Sequence, residues 1–278
     1  MRKNCKRLYS FFLIFCLILC SCGKKPEQQK FTVNKEQEKV LPMEIIPEDE
    51  FQGSLLDLRK MYIKNLETNT EIEALEAIQN KIEDLNIKII FSDIIDDCSQ
   101  KYIVMPGDTL SKIAKKNGTT VGLIKRANSM DSDLIKINQK LKIHTCPFSV
   151  VVDKSQNKLF LKRKGEVIKT YTVSTGKDNS TPVGNFTIGN EKLKDPVWWK
   201  AGAVIGPDSE ENILGTRWLP LVGKDTNDED IQGYGIHGTT KPDELGMQVT
   251  AGCVRMKNQD VEDLYDLLPV GANVQILD

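Results

Sequence analysis

Histidine is scarce in this sequence: His144 and His237 are the only two in 278 residues. Beyond the N-terminal segment there is no CxxC pair either, so the ligand clusters of a zinc site are missing, and neither a metal nor another cofactor is expected. Charge of one sign is also lacking. The 38 basic side chains face 39 acidic ones, for a net charge of -1, which leaves no field to draw the protein to nucleic acid. The apolar run from Leu8 to Cys20 falls short of the roughly 18 to 20 residues that a spanning helix requires.

What is present begins with export. Arg2, Lys3, Lys6 and Arg7 precede that run, the arrangement of a secretory signal over residues 1–22. Leu19, Cys20, Ser21 and Cys22 resemble a bacterial lipobox. The resemblance implies lipidation of Cys22 as the mature N-terminus and a membrane anchor, with an uncleaved anchor or plain secretion as alternatives. Every one of these places the body of the chain outside the cytoplasm, and the lipid anchor would hold it in the cell envelope. Cys5, Cys16 and Cys20 then fall in the signal and Cys22 in the anchor, leaving Cys98, Cys146 and Cys253 in an oxidising setting. Three is odd, so one of them should be unpaired.

Residues 23–50 are polar, charged and interrupted by prolines, as in a flexible tether. Over 51–97, Leu55, Leu58, Tyr62 and Leu66, then Ile72, Leu75, Ile78, Ile82 and Leu85, recur at helical spacing. Two amphipathic helices are expected, packed on their own neighbours rather than offered to a partner as a coiled coil. "NIKIIFSDII" after them reads as a strand.

The segment "YIVMPGDTLSKIAKKNGTTVGLIKRANSMDSDLIKINQKLKI" reads strand, helix, helix, strand. Pro106-Gly107 makes a turn, Asp108 or Thr109 caps the first helix, Gly118 ends it in the left-handed conformation, and Thr120 caps the second. Over residues 98–146 the chain resembles a LysM domain, through "YIVMPGDTLSKIAKK" at the front and "SDLIKINQKLKI" at the back. That resemblance implies a module binding N-acetylglucosamine polymers such as peptidoglycan, in a groove between Gly107, Asp108, Thr109 and Leu110 and the loop from Asn128 to Ile135. Asn138 stands where the family has glycine, and asparagine tolerates positive φ. Cys98 and Cys146 flank the module; if its end strands pair antiparallel, they come within disulfide reach. Cys253 is then the unpaired thiol. His144, on the last strand, is expected at the surface.

Residues 148–278 alternate apolar and polar positions in short runs, with turn-prone "DKSQN" and "KRKGE" between three of them, and one helix from Asn258, a cap candidate. The domain should be mainly β, making the whole chain α+β and multidomain. In "YGIHGTTKPDELGMQVTAGCVRM", His237 is the residue available to deprotonate Cys253 or to hold its thiolate as an ion pair. Gly252 permits close approach of a substrate backbone. Amides near Cys253 can form an oxyanion hole, and the fork of Arg255 suits a substrate carboxylate. A lone cysteine and histidine, taken alone, also fit a buried structural thiol.

"STGKDNSTPVGNFTI", "NILGTRWLPL", "YGIHG" and "LGMQVTAGCVRM" follow in the order and spacing of the L,D-transpeptidase catalytic domain, the YkuD-like family, which this region resembles across residues 149–277. The resemblance implies Cys253 as the acylated nucleophile, His237 as base, and the carbonyl of Gly238 in place of an orienting carboxylate. It implies Arg255, Gly252, Thr250 and Trp218 around the substrate. The reaction implied is transfer of a stem tetrapeptide, with loss of D-alanine, onto an amine of a second stem. Two departures stand out: Thr250 replaces the usual serine, and Ala251 occupies a position where many members carry histidine. "LKDPVWWKAGAVIGPDSEEN" is either a flap over the site or a loop filled by its aromatics. A carboxypeptidase using water, or a wall-anchoring lipoprotein without catalysis, are the alternative functions.

Overall fold

The computed structural model describes residues 46–200, 202–225 and 230–278. The expected signal, the lipobox with Cys22 and most of the tether lie outside the described residues. The last tether residues are held in place: Ile46 O accepts the Tyr62 hydroxyl at 2.7 Å and Glu48 pairs with Lys88. No helix among the described residues is long and apolar enough to cross a membrane.

A helical hairpin comes first, α1 (Leu55–Thr68) and α2 (Ile72–Ile90). Ser54 caps α1 by accepting the Asp57 N–H, and Leu58, Tyr62, Ile78, Ile82 and Leu85 close the core between the two helices. The expected strand at "NIKIIFSDII" is not formed: Asn86 to Ile90 are the last turn of α2, and Phe91 to Ile95 are a turn and irregular chain beyond it. The apolar run that ends α2 is continuous because two faces are covered: Leu85 faces α1, whereas Ile90 enters the core of the C-terminal sheet. A helix buried on two sides loses the spacing that distinguishes it from a strand.

β1 (Ser99–Ile103), α3 (Leu110–Lys116), α4 (Val121–Ala127) and β2 (Lys140–His144) form the small module, with β1 antiparallel to β2. Thr109 and Thr120 cap the two helices, and Gly118 and Asn138 adopt φ of 62° and 69°. The register sets Ser99 opposite His144, and a disulfide joins Cys98 to Cys146 just beyond. His144 is not at the surface; it is 2% exposed. Alternation turns Leu141 and Ile143 into the module and Lys142 and His144 away from it, but that outer face is covered by the end of α2. Lys142 Nζ donates to the carbonyls of Ile89, Ser92 and Ile90 at 2.6, 2.9 and 3.3 Å, and His144 Nε2 donates to Ile90 O at 2.9 Å. The Lys142 ammonium and the His144 N–H thus add donors to the carbonyls at the C-terminal end of α2, where a cation is favourable.

The C-terminal region contains β3 (Phe148–Asp153), β4 (Lys158–Arg163), β5 (Glu166–Thr172), β6 (Thr175–Gly176), β7 (Gly184–Ile188), β8 (Leu193–Lys194), β9 (Trp198–Lys200), β10 (Ala203–Ile205), β11 (Arg217–Asp225), β12 (Gly235–His237), β13 (Gln248–Thr250), β14 (Val254–Arg255), α5 (Asn258–Leu267) and β15 (Asn273–Leu277). The main sheet runs β14-β12-β11-β7-β15-β3-β4-β5, with β8 beside β11. Its inward positions, among them Val150, Val152, Leu159, Leu161 and Ile236, pack under Val261, Leu264 and Leu267 of α5.

The three regions pack tightly on one another. Ile90 of α2 and Leu123 of α4 are fully buried in the sheet's core, each stabilising the junction by about 2 kcal/mol. The buried carboxylate of Glu83 accepts the Thr170 N–H and hydroxyl at 3.0 and 2.8 Å. On the other side, Arg126 of α4 pairs with Asp263 and Asp266 of α5 at 2.8 and 3.2 Å, its guanidinium 3.4 Å from the Phe91 ring centroid. The module is docked against the helix that leaves the cysteine segment. The hairpin packs on its own chain, as the sequence reading expects.

Candidate active site

β12 and β14 run parallel, pairing Ile236 with Val254 and His237 with Arg255. Paired residues on parallel strands project from the same face, so His237 and Arg255 stand side by side, and Cys253 immediately precedes β14, two residues before Arg255. Strand spacing of about 4.8 Å and a rise of about 3.3 Å per residue put the Cα atoms of His237 and Cys253 roughly 8 Å apart, within reach of an imidazole and a thiol.

Cys253 is held by its neighbours. Gly252 adopts φ of 131°, and a Cβ there would meet the Tyr234 ring at 2.4 Å and Ser180 O at 3.0 Å. No other residue fits that space. Thr250 is buried; its hydroxyl donates to Cys253 O at 2.7 Å and accepts the Gly252 N–H at 3.1 Å. The Gly252 amide is therefore engaged and does not serve as an oxyanion donor. Gly176 of "STG" packs against Gly252, a Cβ there standing 2.9 Å from the Gly252 Cα. Ala251 is exposed.

His237 is 3% exposed. Its Nδ1 lies 2.7 Å from Gly238 O, and because a carbonyl only accepts, Nδ1 carries the proton and Nε2 keeps its lone pair. Burial holds the imidazole well below its ordinary value, at about 4, with the Arg255 charge acting in the same direction. Burial also pushes the Cys253 thiol up, against the opposing pull of the Gly235 N–H and Arg255. Both shifts disfavour charge, so the resting site is a neutral thiol beside a neutral imidazole rather than an ion pair. The sulfur faces Gly233 O at 3.7 Å.

Trp218 pairs with His237 across β11 and β12 and stacks on its ring, centroids 5.8 Å apart. A Cβ at Gly235 would strike that indole at 2.7 Å, which accounts for the first glycine of "YGIHG". Arg255 departs from the expectation that its fork is open for substrate. It is 9% exposed, and its guanidinium is bound to the Glu244 carboxylate. Glu244 was not singled out from sequence; its backbone carbonyl also takes the Ser174 hydroxyl at 2.6 Å. An acidic residue on a loop nine or more positions from any motif cysteine carries no sequence signal of its own.

Asn258 likewise differs from expectation. It does not cap α5; the cap is Lys257, without a side-chain bond. Its side chain instead reaches the backbone of Thr216 and Thr239. The tryptophan-bearing segment forms the separate hairpin β9–β10, in which Trp198 is half-buried and Trp199 is 76% exposed, so Trp199 does not fill the loop.

In the small module, Asp108 accepts the Tyr102 hydroxyl and the Met105 N–H, both at 2.8 Å, and Gly107 takes φ of 85°. Leu110 is buried in the module's core, and the Asn128 amide is spent on Ile124 O and on the Lys142 backbone. Both therefore build the groove instead of facing it. The exposed apolar side chains on the two loops are Met105, Leu134 and Ile137.

The family model of the L,D-transpeptidase catalytic domain, YkuD, matches residues 147–276, and that of the LysM domain matches 102–144. The chain is 38% identical over 130 residues to the putative L,D-transpeptidase YqjB of Bacillus subtilis (strain 168), which spans 46% of this chain and 70% of that protein. It is 32% identical over 182 residues to the putative L,D-transpeptidase YkuD of the same organism, spanning 63% of this chain and 97% of that protein. Among solved structures it is similar to an L,D-transpeptidase from Mycobacterium tuberculosis H37Rv, at 16% identity and a TM-score of 0.38, over 51% of this chain and 64%, just under two thirds, of that one. By the two family models, the fold is a YkuD-type catalytic domain with a LysM domain upstream. The chain belongs to the L,D-transpeptidase family.

Proposed function

We propose that Cys253 is the nucleophile with which this L,D-transpeptidase cross-links peptidoglycan, and that His237 is its base. The observation that supports this reading is the parallel pairing of β12 and β14, with His237 at the end of the one and a cysteine outside any disulfide at the start of the other, together with the Nδ1 bond to Gly238 O that leaves the lone pair on Nε2. As Sγ attacks the carbonyl of the third stem residue, its proton passes to Nε2. The oxyanion is met by the Cys253 N–H, which has no acceptor among the described residues. The bond to D-alanine then breaks, and the imidazolium returns the proton to the leaving amine. An amine of a second stem attacks the thioester, gives its proton to Nε2, and releases the thiol.

Gly238 orients the imidazole through its carbonyl. Trp218 fixes the ring plane, Thr250 and Gly252 shape the cysteine turn, and Arg255, neutralised in part by Glu244, contributes a positive charge that favours the thiolate as it forms. The LysM domain binds glycan at the Gly107 to Thr109 turn with Met105 and Leu134, on the groove scaffold of Leu110 and Asn128. Lipidation of Cys22 would hold the chain at a membrane facing the wall, where simultaneous glycan binding raises the local concentration of stems. The test is intact-mass measurement after treatment with a carbapenem. The wild type should gain one drug mass and Cys253→Ala none; labelling that survives the substitution contradicts the assignment.

A further inference from the structure

Asn258 is the first residue of α5, yet its side chain turns back toward the site. Its Oδ1 accepts the Thr239 N–H at 2.9 Å and the Thr216 N–H at 3.3 Å. Two donors converging on one atom identify it as the amide oxygen. Two motif glycines make room for it: a Cβ at Gly215 or Gly238 would stand 2.2 or 2.1 Å from Oδ1. Gly215 further requires φ of 62°. The glycine of "NILGTRW" and the second glycine of "YGIHG" thus share one structural cause.

The Thr239 N–H and the Gly238 carbonyl belong to a single planar peptide unit, so fixing one fixes the direction of the other. On one side of that unit the carbonyl receives His237 Nδ1–H; on the other the amide is held by Asn258. Hydrogen bonds linked in series polarise one another. We infer that Asn258 is a positioning residue for His237, which by holding the Gly238–Thr239 peptide keeps the imidazole in its Nδ1–H tautomer and leaves Nε2 directed to the thiol. The inference rests on the reading of His237 as base. An amide in this place aligns the ring through neutral groups, in keeping with a site whose thiol and imidazole both rest uncharged.

The test uses the full-length protein labelled with 15N-histidine, whose two imidazoles are told apart by His237→Gln, and follows carbapenem acylation on the same samples. The wild type should show His237 in a single Nδ1–H tautomer. Asn258→Ala should show a mixture of tautomers and acylate about tenfold more slowly, the loss of one hydrogen bond's worth of alignment. Asn258→Asp, which keeps an acceptor oxygen, should retain the single tautomer. A single Nδ1–H tautomer in Asn258→Ala overturns the inference, and so does a mixture in Asn258→Asp equal to that in the alanine variant. If the alanine variant does not fold, Asn258→Ser, too short to reach both amides, gives the same two readings. Undiminished acylation in His237→Gln would instead remove His237 as base while leaving the tautomer comparison intact.

Discussion

Acidification should unfold this protein through its two histidines. Both are buried, and both are held at about 4, chiefly by burial, against an ordinary value of 6.5. Between those limits the unfolded chain binds protons that the native state refuses, so stability rises with pH and is lost as pH falls from 6.5 toward 4. At about 1.4 kcal/mol per pH unit, each histidine removes about 3 kcal/mol by pH 4, a large part of the 5–15 kcal/mol typical of a folded domain. Half-buried carboxylates complicate the absolute curve. Asp260 and Asp263 are raised by burial and take up protons on folding in part of the same window, which offsets some of the loss. A difference measurement removes them. His144→Gln keeps an N–H donor toward Ile90 O but cannot charge. Urea unfolding of the wild type and the variant, followed by tryptophan fluorescence from pH 7 to 4, should show the gap between them change by about 3 kcal/mol in favour of the variant. Parallel curves would refute the claim that His144 is held neutral at the end of α2.

Gly252→Ala forces a side chain into the Tyr234 ring at a backbone angle that glycine favours, and should abolish acylation while leaving thermal stability within about 3 kcal/mol. Thr250→Val strands the Gly252 N–H and frees Cys253 O; stability should fall by about 2 kcal/mol in urea titration, with slower acylation and no change in LysM binding to sacculi. Replacing Cys98 and Cys146 together by serine opens a loop of 48 residues and should cost about 4 kcal/mol on the chain-entropy estimate, read as a lowered midpoint that reducing agent reproduces in the wild type.

The longer β-strands, the caps at Thr109 and Thr120, and the pairing geometry around Cys98 and Cys146 were legible because each depends on residues close in sequence or on one strand pair. The motif cysteine and histidine were legible because their chemistry requires those residue types. What escaped was set by contacts across regions. His144 reads as an outward strand position until α2 covers it. "NIKII" reads as the start of a strand because the helix it ends is buried on two sides. Glu244 and Asn258 act on Arg255 and on a backbone amide, partners that no local pattern announces. The glycines at 215, 235 and 238 each mark a place where another side chain, Asn258 or Trp218, occupies the space of a missing Cβ, a cause that lies outside their own segments.

The central claim, acyl transfer through Cys253, is tested most directly by incubating the full-length protein with disaccharide tetrapeptides and weighing both products and enzyme. The account predicts a cross-linked dimer with loss of D-alanine, a transient acyl adduct on the enzyme, and neither with Cys253→Ala. Dimer formed by the alanine variant, or wild-type enzyme that leaves the tetrapeptide unchanged, would contradict it.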